Sequence, residues 1–212
     1  MGAFRVLIAD DHAVTRAGFR QFLEREPEIE HVGEASSGDE TLSKLRAQRW
    51  DLVLLDIHMR DRGGLDILSR VRGSYPSVRI LIVSGLPEEQ YAAIVLRHGA
   101  HGYLCKASAP EELMRAVRTV CAGRTYLSEA AALMLLDDLD RRESAPAHTT
   151  LSFRELQVFR KLAAGDPIGA IAQELRLSAK TVSTYRAKIL EKMAFKTNAE
   201  VTRYALQHGL LL

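Results

Sequence analysis

Cysteine is scarce: Cys105 and Cys121 are the only two in 212 residues. Two thiols are too few for a disulfide framework or a cysteine metal cluster. Both read as small buried apolar residues of a reducing cytosol. Long apolar runs are missing as well; none approaches the roughly 18 uncharged residues of a membrane helix. The opening Met1-Gly2-Ala3-Phe4-Arg5 lacks the apolar stretch of a secretion signal, and Val6 stands where a myristoylation signal requires Ser or Thr. These absences give the expectation of a cytoplasmic chain without membrane contact. There is no internal repeat and no low-complexity tract. What is present is ordinary globular composition, 47% hydrophobic and 26% charged. That is ample apolar surface to offset ordering entropy, so disorder of the whole chain is excluded.

The formal net charge is only +2, but it is unevenly placed. From Leu151 onward there are ten Lys/Arg against five Asp/Glu, whereas the first 150 residues hold 19 against 22. A basic C-terminal part points to a polyanion partner there. Between the two parts, residues 140–150 (Asp-Arg-Arg-Glu-Ser-Ala-Pro-Ala-His-Thr-Thr) carry no large apolar side chain and read as a linker.

Before that linker, strand and helix patterns alternate. Val6–Ala9, Leu52–Leu55 and Ile80–Val83 are continuous apolar runs, with shorter echoes at His31–Gly33 and Gly102–Leu104. Uninterrupted apolar strands are buried on both faces, as in a parallel sheet. Helical patterns over Ala13–Glu26, Gly38–Gln48, Leu65–Arg72, Glu88–His98 and Pro110–Ala122 separate them. Five β/α units predict a doubly wound, five-stranded parallel α/β domain, followed by a further helix over Ser128–Leu139. From Leu151 all pattern is helical: Phe153–Ala164, Ile168–Leu175, Ala179–Met193 and Asn198–His208. Ser152/Glu155 and Thr197/Glu200 have the form of capping boxes, and Gly209 supplies a helix stop. The expected domains are 1–123, a helical linker 124–150, and 151–212.

In an open α/β sheet, ligands sit beyond the carboxyl ends of the strands. The first strand ends in Asp10-Asp11, the third in Asp56, the fourth in Ser84-Gly85, and Lys106 follows the fifth. Taken singly, each Asp is equally well explained as a helix cap, and Ser84 as a turn residue. Together, three carboxylates, a hydroxyl and an ammonium converge from distant parts of the chain. Hard oxygen ligands of that kind favour Mg²⁺. With part of the charge neutralised, one carboxylate can attack phosphorus while Lys steadies the oxygens. His12, beside the acidic pair, is expected to cap the first helix rather than bind metal. Tyr103, at the end of a short strand, is expected in the core.

The segments Val6-Leu7-Ile8-Ala9-Asp10-Asp11-His12, Leu54-Leu55-Asp56-Ile57-His58-Met59 and Gly102-Tyr103-Leu104-Cys105-Lys106 resemble the receiver domain of bacterial two-component response regulators. The resemblance covers residues 4–122. It implies that Asp56 accepts a phosphoryl group from a histidine kinase. It also implies that Asp11, Asp56 and the backbone carbonyl of His58 hold Mg²⁺, with Asp10 assisting through water. Ser84 and Tyr103 would be the switch pair, the ring moving inward once the hydroxyl turns, and Lys106 would bind phosphoryl oxygens. Gly64 matches the glycine after the phosphoacceptor loop. Arg60 departs from the usual Pro, and Ala107 from the usual Asp or Pro.

In the C-terminal part, two short helical patterns joined through Leu175-Arg176-Leu177-Ser178 read as a helix-turn-helix, with Ser178 capping the second helix. On that helix Val182, Tyr185, Ile189 and Met193 form the expected buried stripe. The opposite side carries Lys180, Ser183, Thr184, Ala187, Lys188 and Glu191, and its small and basic residues are suited to a major groove. Leu151-Ser152-Phe153-Arg154-Glu155, Ile171-Ala172, Leu177-Ser178, Lys180-Thr181-Val182 and Tyr185 resemble the LuxR-type helix-turn-helix. By position, Lys180, Thr181 and Lys188 would meet phosphates, and Ser183, Thr184 and Ala187 base edges. The whole chain thus resembles a NarL/FixJ-type response regulator: not an enzyme, but a factor binding double-stranded promoter DNA, dimeric when phosphorylated. Val201, Tyr204, Ala205 and His208, recurring at helical spacing, are the expected dimer surface. Two rivals stay open: a regulator whose receiver is structural and never phosphorylated, and a Mg²⁺-dependent phosphohydrolase.

Overall fold

The computed structural model describes residues 3–59, 64–129, 131–133, 147–175 and 177–211. The chain divides into two units, Met1–Asp140 and Arg141–Leu212.

In the first unit five strands, β1 (Phe4–Ala9), β2 (Ile29–Ala35), β3 (Leu52–Leu55), β4 (Arg79–Ser84) and β5 (Gly102–Cys105), form one parallel sheet in the order β2-β1-β3-β4-β5. The helices are α1 (Ala13–Leu23), α2 (Gly38–Ala47), α3 (Gly64–Ser74), α4 (Glu88–Arg97) and α5 (Pro110–Cys121). The register is continuous through the centre: Ile8 lies opposite Leu54, and Leu54 opposite Leu81. Alternate strand residues therefore feed opposite faces of the sheet. Val6, Ile8, Leu52, Leu54, Leu81, Val83 and Leu104 join Leu23 of α1 and Leu113, Ala116, Val117 and Val120 of α5 in one buried cluster. The intervening Leu7, Val53, Leu55, Ile82 and Tyr103 are equally buried, as are Ile67, Leu68 and Val71 of α3. Burying a Leu or Val side chain contributes roughly 1.5–3 kcal/mol, so two filled faces dominate the stability of this unit.

The doubly wound expectation holds, and the corrections are local. Strand β2 extends from Ile29 to Ala35 because its polar Glu34 is paired with Arg16 and Arg20 of α1. Val14, whose place in the Ala13–Glu26 pattern puts it with Ala17, Phe19 and Phe22 among the apolar residues of that helix, points outward on α1 and is 87% exposed. Cys105 and Cys121 are half-buried rather than buried. The segment expected as a helical linker begins as extended chain. Tyr126 bridges Gly102, its carbonyl accepting from the Tyr103 N–H and its N–H donating to the His101 carbonyl. Helix resumes at 129 and 131–133; the remainder of the expected Ser128–Leu139 helix, and Arg60, lie outside the described residues.

The second unit holds a 3₁₀ turn (Ala147–Thr150) and four helices: α6 (Phe153–Ala163), α7 (Ile168–Glu174), α8 (Ala179–Lys192) and α9 (Asn198–Gln207). Both capping boxes are formed, and the Ser178 hydroxyl accepts from the Thr181 N–H at 3.0 Å. Leu156, Phe159, Leu162, Ile171, Val182, Ile189, Met193, Val201 and Ala205 make the core. The dimer expectation needs correction here. Val201 and Ala205 are 0% exposed, because the same helical stripe that recurs along α9 is the one packed inward. Tyr204 is half-buried, its ring tilted against Phe195 at 5.4 Å and against His208 at 4.1 Å between centroids. Of the four residues only His208 is exposed, beside Leu206 at 66% exposure.

Candidate functional site

The strand order reverses direction between β1 and β3, and there the carboxyl ends of the sheet open a crevice. Asp10 and Asp11 follow β1 and Asp56 follows β3. Asp10 and Asp56 are each 2% exposed. Lys106, at the end of β5, reaches both: its Nζ lies 2.6 Å from Asp10 Oδ2 and 2.8 Å from Asp56 Oδ2. Burial pulls the pKa of this ammonium down, but hydrogen bonds to Asp10 and Asp56 outweigh that and hold it above the usual lysine range.

Backbone groups set the carboxylates. The His58 N–H donates to Asp56 Oδ1 at 3.0 Å, and the His12 N–H donates to Asp10 Oδ1 at 2.8 Å. Each Asp is thus held by the residue two places on, an Asx-type turn that aims the side chain back over the sheet. Arg16 Nη1 donates to the Asp10 carbonyl at 2.8 Å. Gly64 closes the loop: a Cβ there would lie 2.5 Å from Ile57 Cα and 2.7 Å from the Asp56 carbonyl. Only glycine lets α3 approach the backbone of the phosphoacceptor candidate so closely.

His12 occupies the N-cap position of α1, but its side chain makes no cap hydrogen bond. Instead its Nδ1 lies 3.1 Å from Asp10 Oδ1 and 2.9 Å from Asp11 Oδ1. The capping expectation is corrected accordingly, and the acidic neighbours explain it. Asp10, Asp11, His12 and Asp56 offer ligand atoms within 4.8 Å of one another. Three carboxylates facing one ammonium leave a negative pocket of hard oxygen donors, a set that fits Mg²⁺.

Ser84, 0% exposed, accepts from the Leu86 N–H at 3.2 Å. Tyr103 is also 0% exposed, and its phenol donates to the Leu86 carbonyl at 2.8 Å. Burial pushes the phenol pKa well up, partly countered by a hydrogen bond with Ser84. The ring is therefore already inside, where the sequence expectation had it move inward on switching. The partner it finds, a backbone carbonyl on the β4–α4 connection, carries no side-chain signal in the sequence.

On α8, Lys180, Ser183, Thr184, Ala187 and Lys188 are exposed and Thr181 is half-buried. Val182, Ile189 and Met193 are buried as expected, but Tyr185 is only half-buried. It lines a shallow depression with Lys180, Thr181, Thr184 and Lys188.

Residues 6–118 match the family described as response regulator receiver domain, and residues 149–205 match bacterial regulatory proteins, luxR family. The chain belongs to the NarL/FixJ-type response regulators. It is similar to response regulator UvrY of Escherichia coli (strain K12), 36% identical over 206 residues that cover 97% of this chain and 94% of the relative. It is also similar to response regulator GacA of Pseudomonas protegens, 34% identical over 207 residues covering 98% and 97%. Among solved structures, RcsB of Salmonella enterica serovar Typhimurium, bound to promoter rprA in the presence of the phosphomimetic BeF3-, has a TM-score of 0.65. At 22% identity, covering 96% of this chain and 98% of that one, it shows the shared fold. Response regulator ChrA of a heme-sensing two-component system is 30% identical over the full length of both chains, with a TM-score of 0.52. This regulator is a DNA-binding transcriptional response regulator, and the phosphohydrolase reading is set aside. No helix among the described residues is long and apolar enough to cross a membrane.

Proposed function

We propose that this regulator binds promoter DNA through α8 in response to phosphorylation of Asp56 by a sensor histidine kinase. The observation that carries the reading is Lys106, whose ammonium joins the buried carboxylates of Asp10 and Asp56 from the far strand. Asp11, Asp56 and the carbonyl of His58 would hold Mg²⁺, with Asp10 assisting through water. When bound, Mg²⁺ neutralises carboxylate charge and lets a phosphoryl anion approach. The chain does the rest. The His58 N–H fixes the rotation of the Asp56 carboxylate, so its free electron pairs face the crevice. Lys106 passes from the carboxylates to the oxygens of the arriving phosphoryl group. Ser84, the last residue of β4, would supply the hydroxyl that follows that group.

Phosphorylation would pair two chains, so that two helix-turn-helix units meet two half-sites. Pairing makes the second contact intramolecular and can raise avidity by about 10²–10⁴. The test is phosphodonor labelling. With acetyl phosphate and Mg²⁺ the chain is expected to take up close to one label per molecule, and Asp56→Asn none. Labelling of Asp56→Asn at the wild-type level overturns the assignment. Absence of label on the wild type leaves the rival in which the receiver is structural.

A further inference from the structure

We infer that the phenol of Tyr185 is a hydrogen-bond donor to a backbone phosphate of the bound DNA, not a core residue of the helix-turn-helix. This rests on the reading of α8 as the DNA-facing helix.

The first observation is angular. At about 100° per residue, Ile189 and Met193 fall within about 20° of Val182 around α8, whereas Tyr185 falls about 60° away. The three aligned residues are buried, and Tyr185 is half-buried at the margin of their stripe. Its ring can thus pack inward while its hydroxyl reaches the outer surface, the usual behaviour of an amphipathic aromatic side chain. It opens onto the same flank as Thr181 and Lys188 and shares a depression with them, Lys180 and Thr184.

The second observation is an account of donors. The Thr181 hydroxyl is 2.8 Å from the Ser178 hydroxyl. The Ser183 hydroxyl donates to the Ala179 carbonyl at 2.9 Å, and the Thr184 hydroxyl to the Lys180 carbonyl at 3.0 Å. These short side chains satisfy themselves locally, as Ser and Thr do within helices. The Tyr185 phenol has no hydrogen-bond partner among the described residues. Of the hydroxyls lining the depression, Thr184 has given its proton to the helix and Thr181 is paired with Ser178, whereas the Tyr185 phenol has neither commitment.

The third observation is charge. Lys192 is paired with Glu155, Lys161 with Glu174, and Arg186 is hydrogen-bonded to Asn198. Lys180 and Lys188 have no acidic partner among the described residues. A concave patch with two unpaired ammonium groups and one free O–H donor suits a singly charged tetrahedral oxyanion, and along a DNA duplex that group is the phosphodiester. Thr184, its proton given to the helix, then presents a methyl group and lone pairs beside the phosphate rather than a donor to a base edge.

The experiment compares the full chain with Tyr185→Phe and Lys188→Ala on a mixed-sequence duplex and on a genomic fragment enriched by binding, across a salt series. Tyr185→Phe keeps the ring and its packing, and its thermal melt is expected to match the wild type. It is expected to bind both duplexes about tenfold more weakly, the scale of one hydrogen bond to a charged group. Its salt slope is expected to stay unchanged, because no cation is lost. Lys188→Ala is expected to weaken both and reduce the slope by about 1. Wild-type affinity in Tyr185→Phe with weakening in Lys188→Ala overturns the inference and leaves the DNA face standing. Unchanged binding in both overturns the DNA face as well. A loss in Tyr185→Phe confined to the enriched fragment marks a base contact and overturns the phosphate assignment.

Discussion

The Tyr103 phenol donates to the carbonyl of Leu86 at 2.8 Å, with the Ser84 hydroxyl accepting from the N–H of the same residue at 3.2 Å. One residue of the β4–α4 connection is thus held at both its N–H and its carbonyl. The ring needs no further inward travel. In the proposed mechanism, phosphorylation would act on an arrangement the chain already reaches, and the bond would help to set its population. We predict that Tyr103→Phe, which removes the hydrogen bond to the half-buried Leu86 at a cost of about 0.5–1.5 kcal/mol, lowers DNA affinity before phosphorylation. The gain on adding phosphodonor should grow correspondingly. Equal affinity of variant and wild type without phosphodonor would show that this bond does not bias the switch.

The loop after Asp56 has a steric requirement that is independent of its chemistry. A methyl at position 64 meets backbone atoms of Asp56 and Ile57, which cannot rotate away as a side chain would. Gly64→Ala is predicted to lose about 1–3 kcal/mol of receiver stability by overpacking. Because the displaced atoms include those of Asp56, the proposed phosphoacceptor, labelling by acetyl phosphate should slow as well. Stability and labelling rate both at wild-type values would mean that the loop moves aside freely.

His101 makes the receiver sensitive to mild acid. Its Nδ1 accepts from the Ile80 N–H at 3.0 Å. Burial, then the positive charges of Arg72 and Arg79, hold its pKa down to about 4, against an ordinary 6.5. The folded state therefore favours the neutral ring. The associated stability is complete above pH 6.5 and is lost as pH falls toward 4. Trp50 is the only tryptophan, so its fluorescence follows the receiver alone. Urea midpoints read this way should decline between pH 6.5 and 4, and less steeply in His101→Gln. Parallel declines in the two proteins would place the sensitivity elsewhere.

The strands of the sheet were legible because each is a run of apolar residues, and the gathering of Asp10, Asp56 and Lys106 because they stand directly at strand ends. What the pattern concealed was the difference between a residue that packs inward and one that lies at the margin of a stripe. Val201 and Ala205 recur at helical spacing and are core; Tyr185 recurs with Val182 and is half outside. Periodicity gives the direction of a face, not its width or what covers it. The pairing of Tyr126 with β5 and the grip on Leu86 were hidden for another reason: both run through backbone groups, which every residue carries.

Glu155 links the two ends of the DNA-binding unit. It completes the capping box of α6 through the Ser152 N–H at 2.7 Å and meets Lys192 of α8 at 2.6 Å, with 4% of its side chain exposed. Burial raises its pKa, but Lys192 and Ser152 prevail and hold it below the ordinary carboxylate range. The folded pKa is depressed, so this stability is present above the unfolded pKa of roughly 4.3 and is lost as pH falls through the folded value. Glu155→Gln is predicted to destabilise the unit by about 1–2 kcal/mol at neutral pH, the combined scale of a cap and a hydrogen bond to a charge. Calorimetry should show this as a lower melting temperature for one transition, with the receiver transition unmoved and the gap narrowing below pH 4. A constant gap down to pH 3 would mean that Lys192 contributes nothing.

Burial of Val201 decides how the dimer is to be tested. Val201→Arg would place a charge in the core of the unit and unfold it, so lost DNA binding there would say nothing about pairing. The side of α9 that remains available carries Leu206, 66% exposed, and His208, also exposed. A large apolar side chain in water at the end of a basic unit suits a second copy of the same helix across a two-fold axis, where each Leu206 covers its counterpart. We predict that Leu206→Glu leaves the melting temperature and mixed-sequence binding unchanged, because no core contact and no cation is removed. Cooperative occupation of paired half-sites by the phosphorylated chain should fall by at least tenfold, since two carboxylates would then face each other at the axis. Sedimentation of the phosphorylated variant should accordingly shift toward monomer. A variant that still dimerises and still fills both half-sites at wild-type concentration would move the pairing surface off α9, leaving the phosphoacceptor site and the DNA face untouched.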